Sequence, residues 1–130
     1  MARKNEEDEV RVLFVEDDPT VAQMYRLKLE LDGYSVDVAS DGEQAVTRAT
    51  SDPPDIVFLD IRLPKLDGLG VLAALRRHER TRQVPVVILS NYSERELIER
   101  GLKLGALEHL VKSQTTPAKV AGGVEDWLKT

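Results

Sequence analysis

Five short apolar runs punctuate the chain, and stretches of helical periodicity separate them. The runs are Val10 to Glu16, Tyr34 to Val38, Asp55 to Asp60, Val84 to Leu89 and Leu107 to Lys112. Short aliphatic and β-branched runs bounded by turn residues read as buried parallel strands. The second run differs: Tyr34-Ser35-Val36-Asp37-Val38 alternates strictly, which suits an edge strand. Between the first two runs, Asp18 is placed to cap a helix and Pro19 suits its first position. Val21, Met24, Leu27 and Leu31 give that helix one apolar face, and Gly33 stands where a helix-ending glycine belongs. Asp41 with Gln44 resembles a capping box, opening a short helix with Val46 and Ala49 inward. Ser51-Asp52-Pro53-Pro54 predicts a turn. Ile61 to Gly68 reads as a loop, and a helix carrying Leu69, Leu72 and Leu75 follows it. Pro85 is tolerable near the start of the fourth strand. Ser93 with Glu96 predicts a second capping box, for a helix ending near Gly105. Thr116-Pro117 opens a last helix in which Val120, Val124, Trp127 and Leu128 keep helical spacing, with Trp127 as a partly buried anchor. Gly122-Gly123 weakens it by roughly 1 kcal/mol per glycine.

Five strand–helix units imply an α/β fold, a doubly wound five-stranded parallel sheet with right-handed crossovers. The order 2-1-3-4-5, the flavodoxin-like arrangement, puts the alternating strand at an edge and the switch point between strands one and three. Ligands of such sheets bind outside the carboxyl ends of the strands at that point. Three runs here end in charge: the first in Glu16-Asp17, the third in Asp60 and the fifth in Lys112. Topology therefore brings three carboxylates together, with an ammonium within reach.

Composition narrows the classes. The 130 residues fit one domain, and the net charge of −5 argues against direct nucleic-acid binding. Without cysteine there is no disulfide, thiol nucleophile or thiolate metal site. No apolar run approaches the roughly 18 residues of a membrane span, and Met1 to Glu9 lacks a signal-peptide core. A cytoplasmic location without membrane insertion is expected. Residues 1–9, ending in Glu6-Glu7-Asp8-Glu9, read as an acidic flexible tail ahead of a domain over 10–129.

Two unit charges 4 Å apart repel by about 4 kcal/mol at an effective dielectric near 20. Three clustered carboxylates thus require a shared proton or a cation. Oxygen donors without His or Cys favour Mg²⁺, or Mn²⁺, over zinc. A metal, an ammonium and a free carboxylate suit phosphoryl transfer, with an Asp oxygen attacking in line. An acid cluster beside a surface lysine is the plainer alternative.

Val15-Glu16-Asp17-Asp18, the run Phe58 to Gly68, Val86-Val87-Ile88-Leu89-Ser90 and Gly105-Ala106 to Lys112 come in this order, with the charged or hydroxyl groups at strand ends. Over roughly 10–129 the chain resembles the receiver domain of two-component response regulators. The resemblance implies a phosphoacceptor switch rather than a turnover enzyme. Asp60 would accept the phosphoryl group from a sensor histidine kinase or phosphotransfer protein. Asp17 would bind Mg²⁺ directly, Glu16 through water and Arg62 through its backbone carbonyl. Lys112 would pair with phosphoryl oxygens, and Ser90 would report the group's presence. The face of helix 4, strand 5 and helix 5 would meet a downstream protein.

Several positions depart from the family's common pattern. His109 replaces the usual strand-five aromatic, which implies altered coupling; an exposed strand-edge histidine is the alternative. Ser113 stands where a proline, often in a cis bond, is common. Arg62, Asn91 and Tyr92 are large residues at positions that restrict access to Asp60 and tune loss of the phosphoryl group, implying slow autodephosphorylation. Two other classes stay open. A phosphatase of the aspartate-nucleophile type would want a second Asp where Arg62 stands. A phosphorylation-independent module would not need the acids and the lysine.

Overall fold

The computed structural model describes residues 9–130, so Met1 to Asp8, most of the expected tail, lie outside the described residues. The elements run β1 (Arg11–Val15), α1 (Pro19–Leu31), β2 (Ser35–Ala39), α2 (Gly42–Ser51), β3 (Ile56–Leu59), α3 (Gly68–Arg77), β4 (Val86–Ser90), α4 (Arg95–Lys103), β5 (Glu108–Val111) and α5 (Pro117–Leu128). All strand pairs are parallel, in the order β2-β1-β3-β4-β5. This is the flavodoxin-like sheet, with the alternating strand at its edge.

Strand periodicity divides the core into two layers. Leu13, Val15, Val57, Leu59, Val86 and Ile88 point to the side covered by α2 and α3, against Ala45, Ala49, Leu72 and Leu75. Val12, Phe14, Ile56, Phe58, Val87 and Leu89 point to the side of α1 and α5, against Tyr25, Leu29, Val120 and Val124. Both faces are dry, which is why the central strands read as unbroken apolar runs. Trp127 packs edge-on against Phe58 with ring centroids 5.6 Å apart. Its indole lies over Gly123, where an added Cβ would come within 2.7 Å of the ring. That glycine therefore accommodates the anchor while weakening the helix.

Local signals set most boundaries. Asp18 caps α1 by accepting from Thr20 N–H at 2.9 Å, and Asp41 caps α2 by accepting from Gln44 N–H at 2.7 Å. Gln44 Oε1 accepts in return from Ser40 N–H at 2.8 Å rather than from the cap residue's own N–H. The ladder of β4 begins at Val86, two residues later than the apolar run. Pro85 has no N–H to donate, and its carbonyl accepts from Val57 N–H at 2.9 Å.

Two expectations are corrected. The buried face of α1 is Ala22, Tyr25 and Leu29, not Val21, Met24, Leu27 and Leu31. Met24, Leu27 and Leu31 are 51%, 55% and 73% exposed, while Val21 is half-buried. Two apolar stripes overlap on this helix, and tertiary packing chooses between them. Tyr25 stacks on Phe14 with ring centroids 5.0 Å apart. The predicted Ser93–Glu96 capping box does not form either. The cap of α4 is Glu94, without a side-chain bond, because the helix starts at Arg95 and leaves Ser93 in the exposed loop before it.

The corrected face sets a test by urea unfolding. Tyr25→Ala lowers stability by about 3 kcal/mol or more, as aromatic truncation in a core does. Leu27→Ala changes it by no more than about 0.5 kcal/mol, as exposed substitutions do.

Candidate functional site

Register brings the acids together. Phe14 pairs with Phe58 and Val15 with Leu59, so the next residues, Glu16 and Asp60, leave adjacent strands side by side. Ser90 pairs with Val111 at the ends of β4 and β5, and Lys112 follows. The Lys112 ammonium passes over the end of β4. It donates to Glu16 Oε1 in a short contact and to Asp60 Oδ2 at 3.0 Å. The second oxygen of each acid is held by backbone: Glu16 Oε2 accepts from Asp18 N–H at 3.1 Å, and Asp60 Oδ1 from Ile61 N–H at 2.7 Å. Glu16 is only 2% exposed and Asp60 7%, whereas Asp17 is open to water.

One carboxylate oxygen each from Glu16, Asp17 and Asp60 lies within 4.8 Å of the others. With all groups ionised, three carboxylates and one ammonium leave a charge of −2. The donor set is all oxygen and partly open to water, which fits a hard divalent ion such as Mg²⁺. Burial raises the Glu16 pKa, against the hydrogen bond from Lys112. Burial opposes the Lys112 ammonium, but its bonds to Glu16 and Asp60 outweigh that and raise its pKa.

A cleft of about 550 Å³ opens above these groups. Arg62, Asn91, Tyr92 and Ser113 line it, as do Val21, Met24 and Tyr25 from α1. Helical periodicity gives no sign of the α1 contribution, although the helix leaves β1 just after the acid pair. Ser90 is fully buried, and its Oγ accepts from Tyr92 N–H at 3.1 Å. The Arg62 guanidinium carbon lies 4.7 Å from the centroid of the Tyr92 ring, a cation–π pair. His109 Nε2 lies 2.7 Å from the Tyr92 carbonyl, and its Nδ1 is buried without a hydrogen-bond partner. The histidine therefore faces inward and is not the exposed strand-edge residue of the alternative reading. Lys112-Ser113 is trans, as is every peptide bond among the described residues, and a short 3₁₀ turn, Lys112–Gln114, follows β5.

Comparison with known proteins agrees with this geometry. Residues 12–120 match the family model described as the response regulator receiver domain. The chain is 37% identical over 102 residues to the DNA-binding dual master transcriptional regulator RpaA of Synechocystis, covering 78% of this chain and 42% of the relative. It is 42% identical over 102 residues to the transcriptional regulatory protein PrrA of Mycobacterium tuberculosis, covering 78% and 43%. It thus spans less than half the length of these curated relatives. Among solved structures, the receiver domain of a Francisella response regulator superposes with a TM-score of 0.85 at 30% identity, covering 93% of this chain and 98% of that one. The receiver domain of a Pseudomonas aeruginosa sensor histidine kinase, solved with magnesium coordinated in its active site cleft, gives 0.85 at 30% identity over 94% and 99%.

The raised Glu16 pKa makes a pH prediction. The folded state holds that proton more tightly than the unfolded chain, so the associated stability is full below about pH 4.5 and is lost as pH rises through the folded pKa. Glu16→Gln removes this loss. In urea titrations from pH 4.5 to 7.5, the difference in midpoint between variant and wild type shifts in the variant's favour as pH rises.

Proposed function

The chain belongs to the response regulator receiver domain family, and from that premise we propose that Asp60 is the phosphoacceptor of a Mg²⁺-dependent signalling switch. The observation that carries this reading is the pairing of Glu16 and Asp60 at adjacent strand ends, bridged by Lys112 beneath an open cleft. Asp17 would hold the ion directly, Glu16 through water and Arg62 through its carbonyl. A divalent ion held there would neutralise charge on the phosphoryl oxygens. An oxygen of Asp60 attacks the phosphorus of a phosphohistidine on a sensor kinase or phosphotransfer protein. The P–O bond forms as the P–N bond breaks, and the imidazole nitrogen keeps the electron pair and takes a proton. Lys112, already on Asp60, turns its charge to the new phosphoryl oxygens. Ser90 exchanges its bond from Tyr92 N–H for one to the phosphoryl group, so the two states differ in contacts that the ligand itself makes.

Loss of the group requires water to reach the acyl phosphate. The Arg62–Tyr92 pair and Asn91 stand in its path and slow hydrolysis, so the protein acts as a long-lived switch in the cytoplasm rather than a turnover enzyme. His109, joined to the Tyr92 carbonyl, carries the change to β5. A groove of about 360 Å³ between β5 and α5, lined by His109 and Trp127, and the exposed Leu102 on α4 suit the α4–β5–α5 face to a downstream protein.

Incubation with Mg²⁺ and a small phosphodonor gives acid-stable, base-labile phosphate on the wild type and none on Asp60→Asn. No incorporation with any donor would defeat the reading, and incorporation in Asp60→Asn would move the acceptor elsewhere. The Arg62→Ala, Tyr92→Ala double variant loses its phosphate severalfold faster than the wild type. Equal or slower loss would remove the shielding role.

A further inference from the structure

We propose that Gly42, the first residue of α2, is a positioning residue for the divalent-ion site, holding the loop that carries the Arg62 carbonyl. This rests on the reading of that carbonyl as an ion ligand.

The loop from Ile61 to Asp67 is pinned at two places. At its base, Gly68 N–H donates to the Ile61 carbonyl at 2.7 Å. At its apex, Leu66 N–H donates to the Pro64 carbonyl at 2.8 Å, closing a three-residue turn around Lys65. Lys65 has φ +69°, the left-handed region that a lysine side chain disfavours. A residue stays in such a conformation only when its surroundings over-determine it. The second constraint comes from outside the loop. Gly42 N–H, one of the donors left free at the start of α2, reaches the same Pro64 carbonyl at 3.1 Å. Lys65 Nζ also lies 3.9 Å from Asp41 Oδ2, beside the helix cap.

This approach is open only to glycine. A Cβ on Gly42 would stand 1.8 Å from the Leu66 carbonyl oxygen and 2.7 Å from the Leu66 Cβ. Neither atom is the end of a flexible side chain, so the loop or the helix must move. Arg62 lies between the fixed base and the fixed apex and lines the acidic cleft. With the apex released, the peptide after Arg62 turns about the base alone. Gly42 thus acts on the site through Pro64, without touching it.

The test is calorimetric titration of Mg²⁺ into the whole protein. Gly42→Ala is compared with Leu29→Ala, which weakens the core under α1 away from the loop. The expected result is a Kd for Mg²⁺ raised about tenfold or more in Gly42→Ala, the scale of losses seen when a ligand's supporting partner is removed. Leu29→Ala keeps the wild-type value. A Kd in Gly42→Ala equal to that of the wild type overturns the proposal, as does an equal loss in Leu29→Ala, which would mark a general effect of instability. If Gly42→Ala does not fold, an ester in place of the Asp41-Gly42 peptide decides, since it deletes the N–H and adds no bulk. A Kd raised about threefold or more, the scale of one net hydrogen bond, supports the strap, and an unchanged one overturns it. Absence of Mg²⁺ binding by the wild type would overturn the ion site itself, an outcome distinct from equal binding by the variants.

Discussion

The carboxyl end of the sheet depends on one ammonium shared by two buried carboxylates. Parallel register leaves Glu16 and Asp60 side by side with almost no access to water. Two such charges repel by several kcal/mol where the effective dielectric is low. Lys112 answers both, although its own strand is separated from β3 by β4. The backbone N–H groups of Asp18 and Ile61 hold the remaining oxygens. Removal of the Lys112 charge would leave two buried carboxylates unpaired, which is the costly way to break a buried ion pair. The raised pKa of Glu16 shows that the compensation is incomplete. A surplus of negative charge remains at the mouth of the cleft, where a divalent ion or the positive side chains of a partner would be attracted.

Much of this was legible because the relevant signals are local or topological. The strand ends Glu16, Asp60 and Lys112 are marked by a charge closing an apolar run, and parallel order alone makes the first two neighbours. Caps at Asp18 and Asp41 follow from side-chain chemistry that acts within three residues. What failed required knowledge of a third dimension. On α1 the more aliphatic stripe was the wrong one, because a phenylalanine on β1 offered a ring to Tyr25. At α4 the helix starts at Arg95, one residue too late for Ser93 to cap it. The Arg62–Tyr92 stack joins residues thirty positions apart whose proximity depends on β3 and β4 being neighbours. The bond from Gly42 to Pro64 likewise joins the start of α2 to a loop that no periodicity connects with it.

Tyr92 brings the remaining parts into one mechanism. Its N–H is bonded to Ser90, its carbonyl to His109, and its ring lies under Arg62. The two groups lie in the peptide planes on either side of one Cα, so a displacement of that Cα moves both. In the proposed switch, turning Ser90 toward a phosphoryl group withdraws the acceptor of Tyr92 N–H. The N–H must then find another acceptor or shift with its Cα, and a shift of the Cα would strain the bond from His109. That ring has no second anchor, because its Nδ1 is buried without a partner. The usual phenol or phenyl ring would have no second nitrogen to leave unsatisfied. With histidine, each position of the ring carries a polar penalty that the loop must balance. The same tie places the Arg62–Tyr92 cover and the β5 readout on one backbone segment. In that switch, access of water to the acyl phosphate and transmission of the signal to β5 would be set together by the geometry of one loop.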